Sequence, residues 1–248
     1  MLFPIGHENN GRRSIAVVVL LLILANAYVF LLELTRGESF IAAYAAVPYE
    51  IWRGVDLAWP VRVHGVGVIP QAPGPSPIYL TLLTSMFLHA GFLHLAGNML
   101  YLWIFGPQIE DNFGHLRFLI FYLICGVAAA MTQIIYNTDS VIPTLGASGA
   151  ISGVLGAYLV MYPGNWIRVL LPLGIIFAPV RLPALIVIGF WFVLQLFSGY
   201  ATVIEHTAQR HVGGVAYLAH IGGFIAGLTL SFFFREPLNV NRSGSAWN

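Results

Sequence analysis

Gly146-Ala147-Ser148-Gly149 opens an apolar run that continues to Tyr162, and Ala219-His220-Ile221-Gly222-Gly223 lies inside another, from Val215 to Phe234. Runs of this length and character form helices. A serine and a histidine set into them among glycines are poorly placed for a solvent-facing role. A polar group in hydrocarbon costs free energy unless it is satisfied or used, so intramembrane ionisable residues are candidates for function. The two runs set the terms of the reading: a helical protein in a bilayer, with chemistry inside it.

Working outward, four further apolar runs occupy Ile15–Leu34, Phe92–Phe105, Leu116–Tyr136 and Ala184–Phe197. The expected fold is an all-α membrane protein, a bundle of six transmembrane helices in one domain over 15–235, with tails at 1–14 and 236–248. Ile15–Leu34 is long enough to cross ~30 Å of hydrocarbon at ~1.5 Å per residue. It follows Arg12-Arg13, is too long for a signal-peptide core, and is expected to be retained as the first span. Several later runs fall short of the ~20 residues of a free-standing span. Short spans suit a bundle that encloses a water-filled pocket. The apolar Val169–Ala178 stretch, punctuated by Pro172, Pro179 and Pro183, reads as re-entrant or interfacial. Between the first two spans lies a long external loop, about 35–90, whose Gly65–Pro75 piece is rich in proline and glycine and is expected to lack regular structure.

Composition agrees with a membrane setting. Of the 248 residues, 58% are hydrophobic and 8% charged, and mean hydropathy is +0.80. A soluble domain carries roughly 25% charged residues, so this chain could not cover a water-facing surface. The basic residues are all arginine, and a net charge of +1 gives no case for nucleic acid as a partner. Six spans put both ends on one side. That side holds Arg12, Arg13, Arg117, Arg168, Arg181, Arg235 and Arg242, against Arg36, Arg53, Arg62 and Arg210 opposite, an excess that places both termini in the cytoplasm. The lone Cys125 reads as a small hydrophobe.

Ser148 at a helix start would sit beside backbone N–H groups that lack intrahelical partners, at the positive end of the helix dipole. A nucleophile there has oxyanion-stabilising donors next to it. The plainer reading makes Ser148 a cap and Gly149/Gly153 a packing face. His220, expected mid-helix, shares its run with Gly223 and Gly227, a spacing that permits close helix approach. A buried imidazole rests neutral and can accept a serine proton. No buried acid offers itself as a third member, since Asp111 and Asp139 are expected in loops and Glu205 lies outside the last helix. A hydrolase built this way is a Ser-His dyad. His94 and Asn98, four residues apart, share a helix face and can both donate to an oxyanion, or can glue helices together. His89 is assigned a structural role in the loop before them. There is no H-E-x-x-H zinc motif, and the G-x-G at Gly65-Val66-Gly67 lies in a proline-rich loop.

His89-Ala90, His94-x-x-x-Asn98, Gly146-Ala147-Ser148-Gly149 and Ala219-His220-x-Gly222-Gly223, in that order, resemble the rhomboid family of intramembrane serine proteases, in a minimal six-helix form of prokaryotic look. The Glu110–Phe118 stretch resembles that family's loop between helices two and three. The resemblance implies cleavage of single-span membrane proteins within or near a bacterial cytoplasmic membrane, with transmembrane proteins and the lipid bilayer as partners and no cofactor or metal. It implies Ser148 as nucleophile, His220 as general base and then acid, and His94, Asn98 and the Ser148 backbone N–H as the oxyanion hole. Helix five, with Phe190, Trp191 and Phe192, would govern substrate entry. Two positions depart from some members: Tyr79-Leu80 stands where they carry Trp-Arg, and Ser152 where they carry an aromatic residue packed on the histidine. Other readings of the residues are a catalytically silent relative that binds membrane clients and a small-solute channel lined by His94 and His220.

Overall fold

The computed structural model describes residues 3–7, 14–173, 176–205 and 216–235. A short strand β1 (Phe3–His7) precedes α1 (Val17–Arg36). Two short helices follow, α2 (Glu38–Tyr44) and α3 (Pro48–Arg53), then a two-stranded hairpin of β2 (Val61–Val63) and β3 (Gly67–Ile69). Helix α4 (Thr81–Thr84) lies between two 3-10 turns. The body of the molecule is α5 (Phe92–Phe113), α6 (His115–Tyr136), α7 (Ser148–Met161), α8 (Ala184–Glu205) and α9 (Tyr217–Phe234). Strands β4 (Trp166–Leu173) and β5 (Ile176–Pro183) join α7 to α8.

Helix α7 is the axis of the bundle. Every residue from Gly149 to Tyr158 is buried, as expected of a helix apolar on all sides. Its small residues let neighbours approach to backbone contact. A Cβ added at Gly223 of α9 would collide with the Gly149 carbonyl oxygen, one at Gly227 with that of Gly153, and one at Gly156 with that of Phe224. The close-packing faces read from Gly149/Gly153 and Gly223/Gly227 are therefore the same seam seen from its two sides. By contrast α8 lies at the periphery, with Leu185, Ile186, Phe190, Val193, Leu196, Phe197 and Tyr200 exposed.

All six apolar runs are helical, and three corrections concern what lies between them. The Gly65–Pro75 piece contains β3, and the long loop is organised and docked: Ala46 pairs with Thr144 in both directions, and Tyr49 N–H donates to the Ser140 carbonyl, tying the loop to the segment leading into α7. The Val169–Ala178 stretch is the core of a β4–β5 hairpin, with β1 added antiparallel to β4, so Phe3–His7 is an edge strand rather than tail. Pro172, Pro179 and Pro183 disfavour a helix there, and the β-branched Val169, Ile176 and Val180 favour extended backbone. The all-α reading is thus amended to a mostly helical fold with two small sheets.

The third correction is α5, which runs through Pro107 to Phe113. Asp111 lies inside this helix, and the supposed loop to α6 is a single glycine, Gly114, at φ 79°. The polar residues that looked like a loop are used at the start of α1. Val18 and Val19 N–H donate to the Glu110 carboxylate at 2.8 Å each, and Ser14 donates through both its N–H and its hydroxyl to Asp111. Carboxylates there satisfy orphan donors and complement the positive end of the helix.

Among the described residues, three helices are long and apolar enough to cross a membrane: α1, α6 and α9. A fourth arises if the Ile78–Phe87 and Phe92–Phe113 segments, bent by 81°, count as one. Helices α7 and α8 supply shorter apolar stretches.

Candidate active site

Ser148 is the first residue of α7, and its hydroxyl does not cap the helix. The loop that delivers it is fixed by Gly146, whose N–H donates to the Ser85 carbonyl and whose φ of 122° only glycine adopts freely. His220 lies in the first turn of α9 rather than mid-helix. Because the α7–α9 seam closes to backbone contact, the two side chains meet: Ser148 Oγ and His220 Nε2 are 2.7 Å apart.

His94 and Asn98 lie one turn apart on α5. Ala90 N–H donates to His94 Nδ1 at 3.3 Å, so the neutral ring carries its hydrogen on Nε2. That nitrogen faces the space above Gly146. A Cβ at Gly146 would stand 3.0 Å from His94 Nε2 and 3.7 Å from Ser148 Oγ. Glycine therefore keeps open a gap between a donor and the serine. Asn98 is buried, and its Nδ2 has no hydrogen-bond partner among the described residues. A buried donor left free is costly unless a ligand or water completes it.

His89 is buried just before α5. Its N–H donates to Glu33 Oε1 at 3.0 Å, and its ring meets that of His94 edge-on at 5.1 Å. Ser152 Oγ donates to the Ser148 carbonyl rather than touching the imidazole. Tyr79 is half exposed, on the short turn before α4.

Of the three aromatic residues on α8, Trp191 packs against His220, with ring centroids 6.0 Å apart, and Phe192 stacks on Phe224 of α9 at 4.1 Å. Phe190 points outward. One contact was not foreseen. Gln195, one turn beyond Trp191, places its Oε1 2.8 Å from His220 Nδ1. The signal for it was present, since Gln195 is the only carboxamide or charged side chain between Ala184 and Phe197. The rule that singled out Ser148 and His220 applies to it as well.

A serine at a helix start bonded to an imidazole, with the His94 donor across a glycine-lined gap, is an arrangement suited to acyl transfer. The sequence profile of the Rhomboid domain matches residues 77–237, which includes Ser148, His220, His94 and Asn98. The chain belongs to the rhomboid family. It is 35% identical over 149 residues to "Rhomboid protease GluP" of Bacillus subtilis, covering 60% of this chain and 25% of that protein. It is 33% identical over 153 residues to "RHOMBOID-like protein 1" of Arabidopsis thaliana, covering 62% and 34%. With "Rhomboid protein 1, mitochondrial" of Saccharomyces cerevisiae it shares 30% identity over 167 residues, covering 66% and 44%. The matched region thus spans a quarter to under a half of these relatives' lengths. Family and apolar helices together make this an integral membrane protein.

Proposed function

We propose that this chain is an intramembrane serine endopeptidase that cleaves single-span membrane proteins within or near the bilayer. The observation that carries the reading is the 2.7 Å approach of Ser148 Oγ to His220 Nε2, made between two mostly apolar helices. Ser148 gives its proton to Nε2 and attacks the scissile carbonyl. The resulting oxyanion is held by His94 Nε2–H, Asn98 Nδ2–H and the Ser148 backbone N–H. His220 then protonates the leaving amine, and a water activated by the same imidazole hydrolyses the acyl-enzyme.

In this reading α5 with its bent lead-in, α7 and α8 complete a minimal six-span bundle of the prokaryotic type with α1, α6 and α9. The arginine distribution favours both termini on the cytoplasmic side, and a bacterial inner membrane is the proposed setting. A transmembrane substrate cannot arrive through water, so it enters sideways where α8 yields, and Phe190, Trp191 and Phe192 form the gate.

A serine-directed fluorophosphonate probe tests this on the full chain in liposomes, alongside cleavage of a single-span test substrate. Labelling and cleavage should both vanish in Ser148→Ala and in His220→Ala, and the double variant should be no worse, because the pair acts as a unit. Wild-type protein that binds the substrate but neither labels nor cleaves would instead be a silent client binder.

A further inference from the structure

We infer that Gln195 is a positioning residue for the base, the neutral third member of a Ser148–His220–Gln195 relay. The inference rests on the protease reading above and deepens it.

A neutral imidazole has one nitrogen that donates and one that accepts. Gln195 Oε1 can only accept, and it lies 2.8 Å from Nδ1. The hydrogen therefore sits on Nδ1, and Nε2 is left with a lone pair directed at the Ser148 hydroxyl 2.7 Å away. That is the tautomer a general base needs. Were the carboxamide reversed, its N–H would donate to Nδ1, the ring hydrogen would move to Nε2, and Ser148 would face a donor.

The setting supports the assignment. Gln195 is 6% exposed in a helix otherwise apolar from Ala184 to Phe197, where a carboxamide is expensive unless its bonds are used. Trp191, four residues earlier and so on the same face of α8, packs its ring against the imidazole. One helix thus holds His220 twice, by ring contact through Trp191 and by hydrogen bond through Gln195. Ser152 of α7, turned back on its own helix, supplies no such contact. A carboxylate would hold the same tautomer and also stabilise the imidazolium. The carboxamide does the first with much less of the second.

Two measurements on the full chain test this. The first is 15N-histidine NMR in micelles, with His220 assigned by its absence in His220→Ala. Wild type should show an Nδ1–H tautomer, and Gln195→Met should show mixed tautomers. The second is kinetics with the single-span test substrate. Gln195→Met should lower kcat by roughly 10–10²-fold, part of the ordinary range for a general base, with KM unchanged. Gln195→Glu should recover most of that loss, with the acidic limb of the pH profile moved to higher pH, because a carboxylate at Nδ1 favours the imidazolium. An Nε2–H tautomer in wild type would overturn the inference, as would a Gln195→Met protein with unchanged tautomer, kcat and pH profile. If Gln195→Met fails to fold, the wild-type tautomer and Gln195→Glu still decide. Should wild type neither label nor cleave, the protease reading falls while the tautomer measurement still judges Gln195.

Discussion

Helix α9, which carries His220, is held from two sides by different kinds of contact. Toward α7 the contact is backbone on backbone, with Gly149, Gly153 and Gly156 set against Gly223, Phe224 and Gly227. Toward α8 it is side chain on side chain, with Trp191, Phe192 and Gln195 reaching across to His220 and Phe224. Backbone contact at glycine leaves no rotamers to adjust, so the α7–α9 seam fixes how far apart the backbones carrying Ser148 and His220 lie. Aromatic and carboxamide contacts can be released and remade by rotation about side-chain torsions. Ser148 and His220, the proposed nucleophile and base, are therefore set on the closely packed seam, while Gln195 rides on the helix proposed as the gate.

The most damaging way to break this contrast is to wedge the rigid seam. In Gly223→Ala the new methyl meets the Gly149 carbonyl oxygen, and neither is the free end of a flexible chain. The helices must part, and the serine–histidine bond lengthens with them. Cleavage and fluorophosphonate labelling should fall by ~10³-fold or more, since general-base assistance is worth up to ~10⁴ and depends on that geometry. Thermal stability should drop by about 1–3 kcal/mol, the usual cost of overpacking. Retained labelling at full rate would mean that the seam does not set the catalytic distance.

A smaller loss is expected from the side of the site that neither seam controls. Asn98→Ala or His94→Ala removes one proposed oxyanion donor and should reduce turnover by ~10²–10³ for a full donor, less where the Ser148 backbone N–H compensates. Binding of an uncleavable substrate by a Ser148→Ala background should change little. If binding and turnover fall together, the pair is holding helices instead.

The yielding seam should respond in the opposite direction. Trp191→Val or Phe192→Val removes the aromatic contacts to His220 and Phe224 while leaving the glycine seam untouched. For Phe192→Val, cleavage of a transmembrane substrate should rise a few-fold as α8 parts more readily, with stability lower by ~1–3 kcal/mol. Trp191→Val loosens the gate and also one of the two supports of the imidazole, so its gain should be smaller. A disulfide tethering α8 to α5 that left cleavage intact would defeat the idea of lateral entry.

The two seams were not equally legible in the sequence. Glycines at i and i+4 flanking a serine and a histidine announce close approach directly, and the α7–α9 seam could be read from spacing alone. The helical runs were visible because a continuous apolar stretch has few other stable forms in lipid. Gln195 escapes a reading that expects an acid as third member, whereas the tautomer requires only an acceptor. The end of α5 was missed for a related reason. Gln108, Glu110, Asp111 and Asn112 look like loop residues until the start of α1 and Ser14 just before it supply the N–H groups that Glu110 and Asp111 bind. The β4–β5 hairpin and the docked external loop depend on pairings between distant segments, which local pattern does not encode.

The smallest expected effect asks whether the rigid frame extends to the external loop that is tied to the entry of α7. Within that loop Glu50 of α3 is buried and accepts the Leu57 N–H at 2.7 Å. Burial pushes its carboxyl from an ordinary 4.5 up to about 7. The hydrogen bond from Leu57 opposes the shift, and the Asp56 charge adds to it. A group whose pKa is raised on folding contributes stability that is complete below its unfolded value and is lost as pH rises through its folded one. The wild-type loop should therefore weaken between about pH 4.5 and 7. Glu50→Gln keeps an oxygen for Leu57 and cannot ionise, so its melting temperature should match wild type near pH 4.5 and exceed it by a small margin at pH 8. If loop and seam form one cooperative frame, that margin appears in global thermal unfolding. If the loop opens on its own, it appears only in hydrogen exchange at Leu57 and its neighbours, while the global transition stays put. Parallel pH curves for the two proteins by both measurements would remove Glu50 as a source of pH dependence.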